Sequence, residues 1–151
     1  MADATDNVHA TAIALGSHAA LIRGAPGSGK SDLALRCLAL APTALIPCPV
    51  SFVADDRVDL RRAGEHILAA APAAIRGKLE VRGLGVLSIP SIDHAEVMLI
   101  ADIAPLERIE RLPDPAPTTE LLGVTLPLLH IAPFTASAPI KLLLALAQTL
   151  R

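Results

Sequence analysis

Aromatic residues are nearly absent from this sequence: among 151 residues there is no Trp, no Tyr and only two Phe. Hydrophobic residues still make up 52% of the chain, so the core must be built mainly from Leu, Ile, Val and Ala. A folded chain of this length buries about 70% of the surface that its extended form exposes. The sequence therefore predicts one domain over residues 1–151 with an aliphatic core, and a flexible segment at residues 1–7.

A strong charge of either sign and a long apolar run are also missing. The formal net charge is −2, which argues against the basic surface typical of nucleic-acid-binding domains. The longest apolar candidate, 140–150, is interrupted by Lys141 and Gln148 and is shorter than the roughly 18 residues of a membrane span. The polar N-terminus does not have the pattern of a signal peptide. We expect a cytoplasmic protein that binds neither nucleic acid nor membrane.

Cysteine is scarce as well. Cys37 and Cys48 do not have the spacing of a metal site. A chain that can form a core of this size does not need a disulfide framework. Both cysteines are therefore predicted to be reduced, buried thiols.

The order of apolar and polar segments along the chain predicts an α/β fold around a central sheet. Strands are predicted at residues 8–15, 19–23, 50–54, 58–62, 65–69, 96–103 and 121–131, and helices at 32–40 and 139–150. Residues 79–89 are predicted as loop and short strand, and 112–119, which contains three prolines, as a surface loop. Pro42 ends the first helix, and Ser137 is predicted as the N-cap of the second.

One glycine-rich segment matches the phosphate-loop pattern G-x-x-x-x-G-K-[ST] at every fixed position. Glycines allow backbone N–H groups to turn toward phosphate oxygens, and the helix that follows adds its positive N-terminal end. In this motif the lysine reaches the β- and γ-phosphates, and the serine hydroxyl ligates Mg²⁺. We expect nucleotide binding by Gly24, Ala25, Pro26, Gly27, Ser28, Gly29, Lys30 and Ser31.

Two adjacent aspartates, Asp55 and Asp56, follow the apolar segment 50–54. A carboxylate at the end of a buried strand is the usual Mg²⁺-holding element of phosphate-loop proteins. Neighbouring side chains of an extended chain point to opposite sides. The two aspartates are therefore predicted to have different roles, one facing the metal ion and the other facing the substrate.

The order of these motifs resembles the HPr kinase/phosphorylase family. Members of that family have a histidine-containing strand, a phosphate loop, an Ala-Asp-Asp segment and a later Glu-x-Arg-Gly-x-Gly signature. This chain has His9, the glycine-rich loop, Asp55-Asp56 and then Glu80-Val81-Arg82-Gly83-Leu84-Gly85, and the resemblance covers about residues 8–131. It implies a P-loop-containing central sheet with helices, similar to the HPr kinase catalytic domain and to the nucleotide site of phosphoenolpyruvate carboxykinase.

The resemblance also implies an activity. Family members use ATP and Mg²⁺ to phosphorylate a serine of the phosphocarrier protein HPr, and they remove the phosphate again by attack of inorganic phosphate on phosphoserine. A P-loop kinase catalytic domain of this type, as a homo-oligomer that binds HPr, is therefore expected. The serine hydroxyl is a weak nucleophile, so a carboxylate that accepts its proton fits this chemistry.

Individual roles follow from the same resemblance. The catalytic residues that it implies are Asp55, His9, Lys30 and Arg82. Asp55 would accept the proton, and His9 would lie against Asp55. The metal ligands that it implies are Ser31, Asp56 and Glu80.

Three features depart from the family pattern. The phosphate loop begins at residue 24, as expected of a short form of the family without the N-terminal domain. Asp32 stands where the family usually has Glu. The family's loop of the form Pro-Val-x-x-Gly-Arg-Asn, which is tied to the reverse reaction, is replaced by 133–139, with Lys141 as the nearest cation. A competent kinase with weak phosphorylase activity is the resulting prediction.

Two other functions remain open on the residues alone. One is a P-loop kinase of another small substrate, for which a basic lid could be formed by Arg57, Arg61, Arg62 and Arg76. The other is a non-catalytic nucleotide-binding regulator, which would bind ATP without transferring phosphate to any protein. The first alternative leaves the Asp-Asp pair and the Glu-x-Arg-Gly-x-Gly segment unexplained.

Overall fold

A long central strand organises the chain in the computed structural model, which describes residues 4–40 and 42–151. The strands are β1 Thr5–Val8, β2 Ala10–Leu15, β3 His18–Arg23, β4 Val50–Ala54, β5 Val58–Ala63, β6 His66–Ala70, β7 Lys78–Val81, β8 Gly85–Ser88, β9 Ala95–Ile103, β10 Thr118–Leu121 and β11 Val124–Ile131. The helices are α1 Lys30–Leu38 and α2 Ala138–Gln148, with 3₁₀ turns at Ala73–Ile75 and Leu106–Arg108.

Strand β9 is the branching point of a nine-stranded, curled sheet. Seven strands follow the order β1-β5-β6-β9-β3-β2-β4, and the pair of β10 and β11 joins this series at β9. Along one edge β9 pairs in parallel with β3. Along its other edge it pairs first with β6, through Ala95 and Glu96, and then in parallel with β11, from Ile100 to Ile103. Strands β7 and β8 form a separate two-stranded sheet.

Both faces of the central strands are covered, so their sequences are mainly apolar. In β2, Ala10, Ala12 and Ala14 face one core cluster with β4, β5, β6 and part of β9. Ile13 and Leu15 face the second cluster, which contains the buried sides of α1 and α2. Side chains alternate between the faces of a strand, and this alternation fills both cores with aliphatic residues.

Helix α2 is held to the sheet by its apolar side, and this packing gives a stability prediction. Leu142 is fully buried in the second cluster. Replacing a buried Leu by Ala leaves a cavity, so Leu142→Ala is expected to lower the free energy of unfolding by about 2–5 kcal/mol in urea denaturation. The exposed neighbour Lys141 is the control, since Lys141→Ala should change stability by less than about 0.5 kcal/mol. Equal stability of the two variants would contradict this packing.

Most of the predicted elements are confirmed, with several corrections. The flexible segment predicted at residues 1–7 is wrong from Thr5 onward, because Thr5–Val8 pairs with β5; residues 1–3 lie outside the described residues. Strand β10 occupies part of the predicted loop, and α1 begins at Lys30, two residues earlier than predicted. Ser137 lies at the N-cap of α2, but its side chain makes no capping hydrogen bond.

The structure tests the predictions for the two cysteines and for membrane-spanning segments. Cys37 and Cys48 are both free, but only Cys37 is fully buried, and burial raises the pKa of its thiol to about 12. Within residues 4–40 and 42–151, none of the helices has the length and the apolar character that a membrane crossing requires.

Candidate active site

The loops that follow three parallel strands meet at one edge of the sheet. Because β3, β9 and β11 run in parallel, their carboxyl ends lie together, which is where α/β sheets usually bind ligands. Loop 24–29 follows β3, and the turn 132–137 follows β11. A bidentate ion pair joins the ends of β3 and β9, with Arg23 Nε 2.7 Å from Asp102 Oδ1 and Nη2 2.8 Å from Oδ2. A cavity of about 550 Å³ opens at this edge.

The glycine-rich loop wraps around the ammonium group of Lys30. Lys30 Nζ donates hydrogen bonds to the carbonyl oxygens of Gly24 and Ala25, at 2.9 and 3.0 Å. The side chain is almost buried, and burial lowers its pKa from the usual value, although the charges of Asp56 and Asp55 oppose this shift. Within residues 4–40 and 42–151 these carbonyls are the partners of Nζ, so one of its three N–H donors can meet an anionic ligand in the cavity.

Two further features of the loop fit an anion. The buried hydroxyl Oγ of Ser28 has no hydrogen-bond partner among the described residues, and a buried polar group without a partner is costly unless a ligand satisfies it. Gly29 has a φ of 106°, a conformation that L side chains rarely adopt. The loop lies between β3 and α1, which is the strand–loop–helix context that the sequence predicted for it.

Asp55 lies beneath the loop and is held by several donors. Its Oδ1 accepts hydrogen bonds from the Ser31 hydroxyl at 2.6 Å and from the Thr11 hydroxyl at 3.0 Å. Its Oδ2 lies 3.4 Å from the backbone N–H of Glu80. The side chain is buried, at 6% exposure. This carboxylate is thus fixed directly against the serine that is predicted to ligate Mg²⁺.

Asp56 has a different environment from Asp55, because it lies in the turn after β4. Its side chain is 69% exposed, and its Oδ1 lies 3.3 Å from Nδ1 of His9. The residue has a φ of 68°, in the left-handed region where Asp and Asn are tolerated better than most other residues. The backbone turns here at the end of β4, and this turn brings the carboxylate to the wall of the cavity.

The predicted signature forms one side of the same cavity. Glu80, Val81 and Arg82 line it, at the end of β7 where the chain enters the turn to β8. The sequence prediction of loop and short strand for this segment is confirmed, and the two strands form a hairpin. Glu80 and Arg82 are exposed, so both side chains are available to a ligand.

The turn after β11 supplies an unexpected residue. Phe134 lines the cavity and is 72% exposed. Its ring lies so close to the loop that a Cβ added at Gly29 would be 2.8 Å from Phe134 Cζ. Arg36 Nη2 donates a hydrogen bond to the carbonyl oxygen of Pro133 and thereby joins the turn to α1.

The structure brings together nearly all of the residues that the sequence singles out. His9, Lys30, Ser31, Asp56, Glu80 and Arg82 line the cavity, while Asp55 lies below it. Thr11 and Phe134 were missed, although two signals were present: a hydroxyl within the apolar strand β2, and an aromatic residue in a chain that has two. Among the residues that the structure describes, no three His, Cys, Asp or Glu side chains are grouped closely enough to hold a metal ion.

A glycine-rich strand–loop–helix unit that faces a pair of aspartates is typical of nucleotide-binding α/β proteins. The family model described as HPr Serine kinase C-terminal domain matches residues 1–149. The chain therefore belongs to the HPr serine kinase C-terminal domain family.

Named relatives agree with this assignment. An HPr kinase/phosphorylase of Leptospira biflexa is 32% identical over 124 residues, which cover 74% of this chain and 36% of the relative. One from Clostridium tetani is 39% identical over 72 residues, which cover 48% of this chain and 21% of the relative. One from Geobacillus thermodenitrificans is 29% identical over 138 residues, with coverages of 84% and 42%. These matches span well under half the length of the curated relatives.

A solved structure shows the same fold. The Hpr(Ser) kinase/phosphatase from Coxiella burnetii matches this chain with a TM-score of 0.77 at 20% sequence identity, over 96% of this chain and 97% of that one. The α/β fold with a curled sheet is thus that of an HPr kinase catalytic domain. The predicted likeness to the nucleotide site of phosphoenolpyruvate carboxykinase stays a prediction.

Proposed function

We propose that residues 1–151 form a catalytic domain that uses ATP and Mg²⁺ to phosphorylate a serine of HPr. The observation that carries this proposal is the position of Asp56, an exposed carboxylate on the wall of the cavity that also contains Lys30. A carboxylate there can accept a proton from a hydroxyl group that enters beside a phosphate bound at the loop. Family membership supports the choice of HPr as the protein that carries this hydroxyl.

The residues of the loop fit a nucleoside triphosphate. The free N–H of Lys30, the orphaned hydroxyl of Ser28 and the backbone of Gly24–Ser31 can meet phosphate oxygens. Bound Mg²⁺ neutralises charge that develops on the transferring phosphate. Oxygen ligands suit this ion, which usually takes one or two carboxylates together with phosphates and water. Ser31 and Asp55 supply such oxygens, and Glu80 is a further candidate ligand.

The contacts favour a division of labour between the aspartates that is the reverse of the one predicted from sequence. Asp55 accepts two hydroxyl hydrogen bonds and touches Ser31, so we assign it to the metal side. Asp56 is exposed and reaches the cavity, so we assign it the role of proton acceptor. As the seryl oxygen bonds to the γ-phosphorus and the bond to ADP breaks, the seryl proton passes to the Asp56 carboxylate.

Two other residues support this transfer. His9 lies against Asp56, and we assign it to the orientation of that carboxylate. Arg82 lines the same cavity as the loop, and its guanidinium can pair with phosphate oxygens in a bidentate manner. HPr binding and a homo-oligomeric state belong to the same proposal.

One assay separates this proposal from the two alternatives. The protein is incubated with γ-labelled ATP, Mg²⁺ and HPr, and acid-stable label on HPr is measured. Incorporation that requires Mg²⁺ supports the HPr kinase. ATP binding without any transfer would identify a nucleotide-binding regulator, and label on a small metabolite instead of HPr would identify another kinase.

The composition of the cavity also bears on the reverse reaction. Lys30 and Arg82 are the Lys and Arg side chains among its lining residues, and the turn 132–137 contributes Phe134 where the family pattern has a basic loop. Attack of phosphate on phosphoserine brings two anions together, and their repulsion is strong in a partly desolvated site. We expect pyrophosphate release from phosphoserine-HPr at millimolar phosphate to be much slower than the forward reaction. Comparable rates would contradict this prediction.

A further inference from the structure

We propose that Phe134 is the stacking surface for the base of the bound nucleotide. This inference rests on the proposed function, because it assumes that the triphosphate lies in the Gly24–Ser31 loop. It assigns a role to a residue that the motifs of the chain leave out.

The position of Phe134 in the sheet is the first reason. The phosphate loop follows β3, and Phe134 lies in the turn after β11, two strands away along the same parallel group. Both connections leave the carboxyl edge, where a ligand extends from one loop to the next. The ring lies beside Gly29. A nucleoside that extends from the loop on this side would therefore contact the Phe134 ring.

The exposure of the ring is the second reason. The chain has two aromatic side chains, and Phe52 is fully buried in the core while Phe134 is 72% exposed. Leaving a large apolar ring in water has an energetic cost. Its exposed position beside an open cavity of about 550 Å³ is explained if a flat ligand covers it.

The turn that carries the ring is well anchored. Arg36 donates a hydrogen bond to Pro133 O and another to Asp32 Oδ2 at 2.9 Å. Within the turn, the Thr135 hydroxyl donates to Ala132 O at 3.0 Å, and the Ala138 N–H donates to Thr135 O at 3.1 Å. A turn anchored in this way loses little backbone freedom when a base stacks on the ring that it carries, which lowers the entropic cost of binding.

Stacking predicts a defined loss of affinity. Base–aromatic stacking contributes enough that removal of the ring weakens binding by about 5- to 150-fold. We expect this increase in the Kd of Mg-ATP for Phe134→Leu, which keeps apolar bulk but has no ring. Phe134→Tyr should bind Mg-ATP nearly as well as the unmodified protein. Inorganic triphosphate has no base, so its Kd should be the same in all three proteins.

The absence of Trp and Tyr from the chain allows a direct optical test. Phe134→Trp introduces a single indole, and ATP should quench its fluorescence in a saturable manner while inorganic triphosphate should not. Leu112→Trp is the matched control, because Leu112 is 86% exposed and lies outside the cavity lining. That indole should show only the non-saturable loss caused by absorption of light by the nucleotide.

The outcomes separate this inference from the proposed function. Equal ATP affinity for Phe134→Leu and the unmodified protein, or no saturable quenching in Phe134→Trp, would overturn the stacking role while triphosphate binding stands. An equal loss of ATP and triphosphate binding in Phe134→Leu would also overturn it, because the ring would then only support the loop. If the unmodified protein binds neither ATP nor triphosphate, the proposed function itself fails.

Discussion

Lys30→Ala is expected to lower the rate of phosphoryl transfer to HPr by at least about 10²-fold. Lys30 Nζ is held by two carbonyl oxygens of the loop, so its charge is already in place for the transferring phosphate. Removing a preorganised charge or donor of this kind typically costs about 10²- to 10³-fold in rate. The measurement is the initial rate of label incorporation at saturating Mg-ATP.

A surface lysine gives the control for this variant. Lys141 is exposed on α2 and lies outside the cavity at the loop, so Lys141→Ala should retain the full forward rate. Both variants should unfold at urea concentrations close to that of the unmodified protein. A folded Lys30→Ala protein with near-normal transfer would contradict the role assigned to the loop.

Asp56→Asn is expected to reduce transfer by about 10²- to 10⁴-fold, the usual contribution of general acid–base catalysis. The amide cannot accept the seryl proton, yet Asn tolerates the left-handed backbone of this position about as well as Asp does. Binding of Mg-ATP, followed by titration calorimetry, should change little.

Asp55→Asn is the matched comparison at the neighbouring position. Asp55 touches Ser31, so its loss should raise the Mg²⁺ concentration needed for half-maximal nucleotide binding. The opposite result would support the assignment predicted from the sequence. In that case Asp56→Asn would raise the Mg²⁺ concentration needed for half-maximal nucleotide binding, and Asp55→Asn would leave it unchanged. The two variants therefore decide between the two divisions of labour.

Local patterns in the sequence predict the parts of the fold that depend on near neighbours. The hairpin of β2 and β3 follows from two apolar runs around Gly16 and Ser17, and β4 was predicted with the bounds that the structure shows. Strand β10 was missed because its sequence, Thr-Thr-Glu-Leu, is polar and gains its order from pairing with β11. The branching of β9 depends on partners distant in the chain, which no local pattern specifies.

The candidate site shows the same limit. The glycine-rich loop, the aspartate pair and the Glu-x-Arg-Gly-x-Gly segment are compact motifs, so their residues could be named from the sequence. The sequence could not predict which aspartate faces the cavity. That depends on the turn at Asp56 and on the hydroxyl groups from β2 and α1 that donate hydrogen bonds to Asp55. Phe134 reaches the loop only because β11 pairs in parallel with β9.

We propose above that this domain transfers the γ-phosphate of ATP to a serine of HPr. The most direct test is mass spectrometric mapping of HPr after incubation with the protein, ATP and Mg²⁺, in parallel with Lys30→Ala and with chelator. We expect one phosphoserine on HPr that is absent with chelator and strongly reduced with Lys30→Ala. Unmodified HPr, after incubation with a folded protein that binds Mg-ATP, would contradict it.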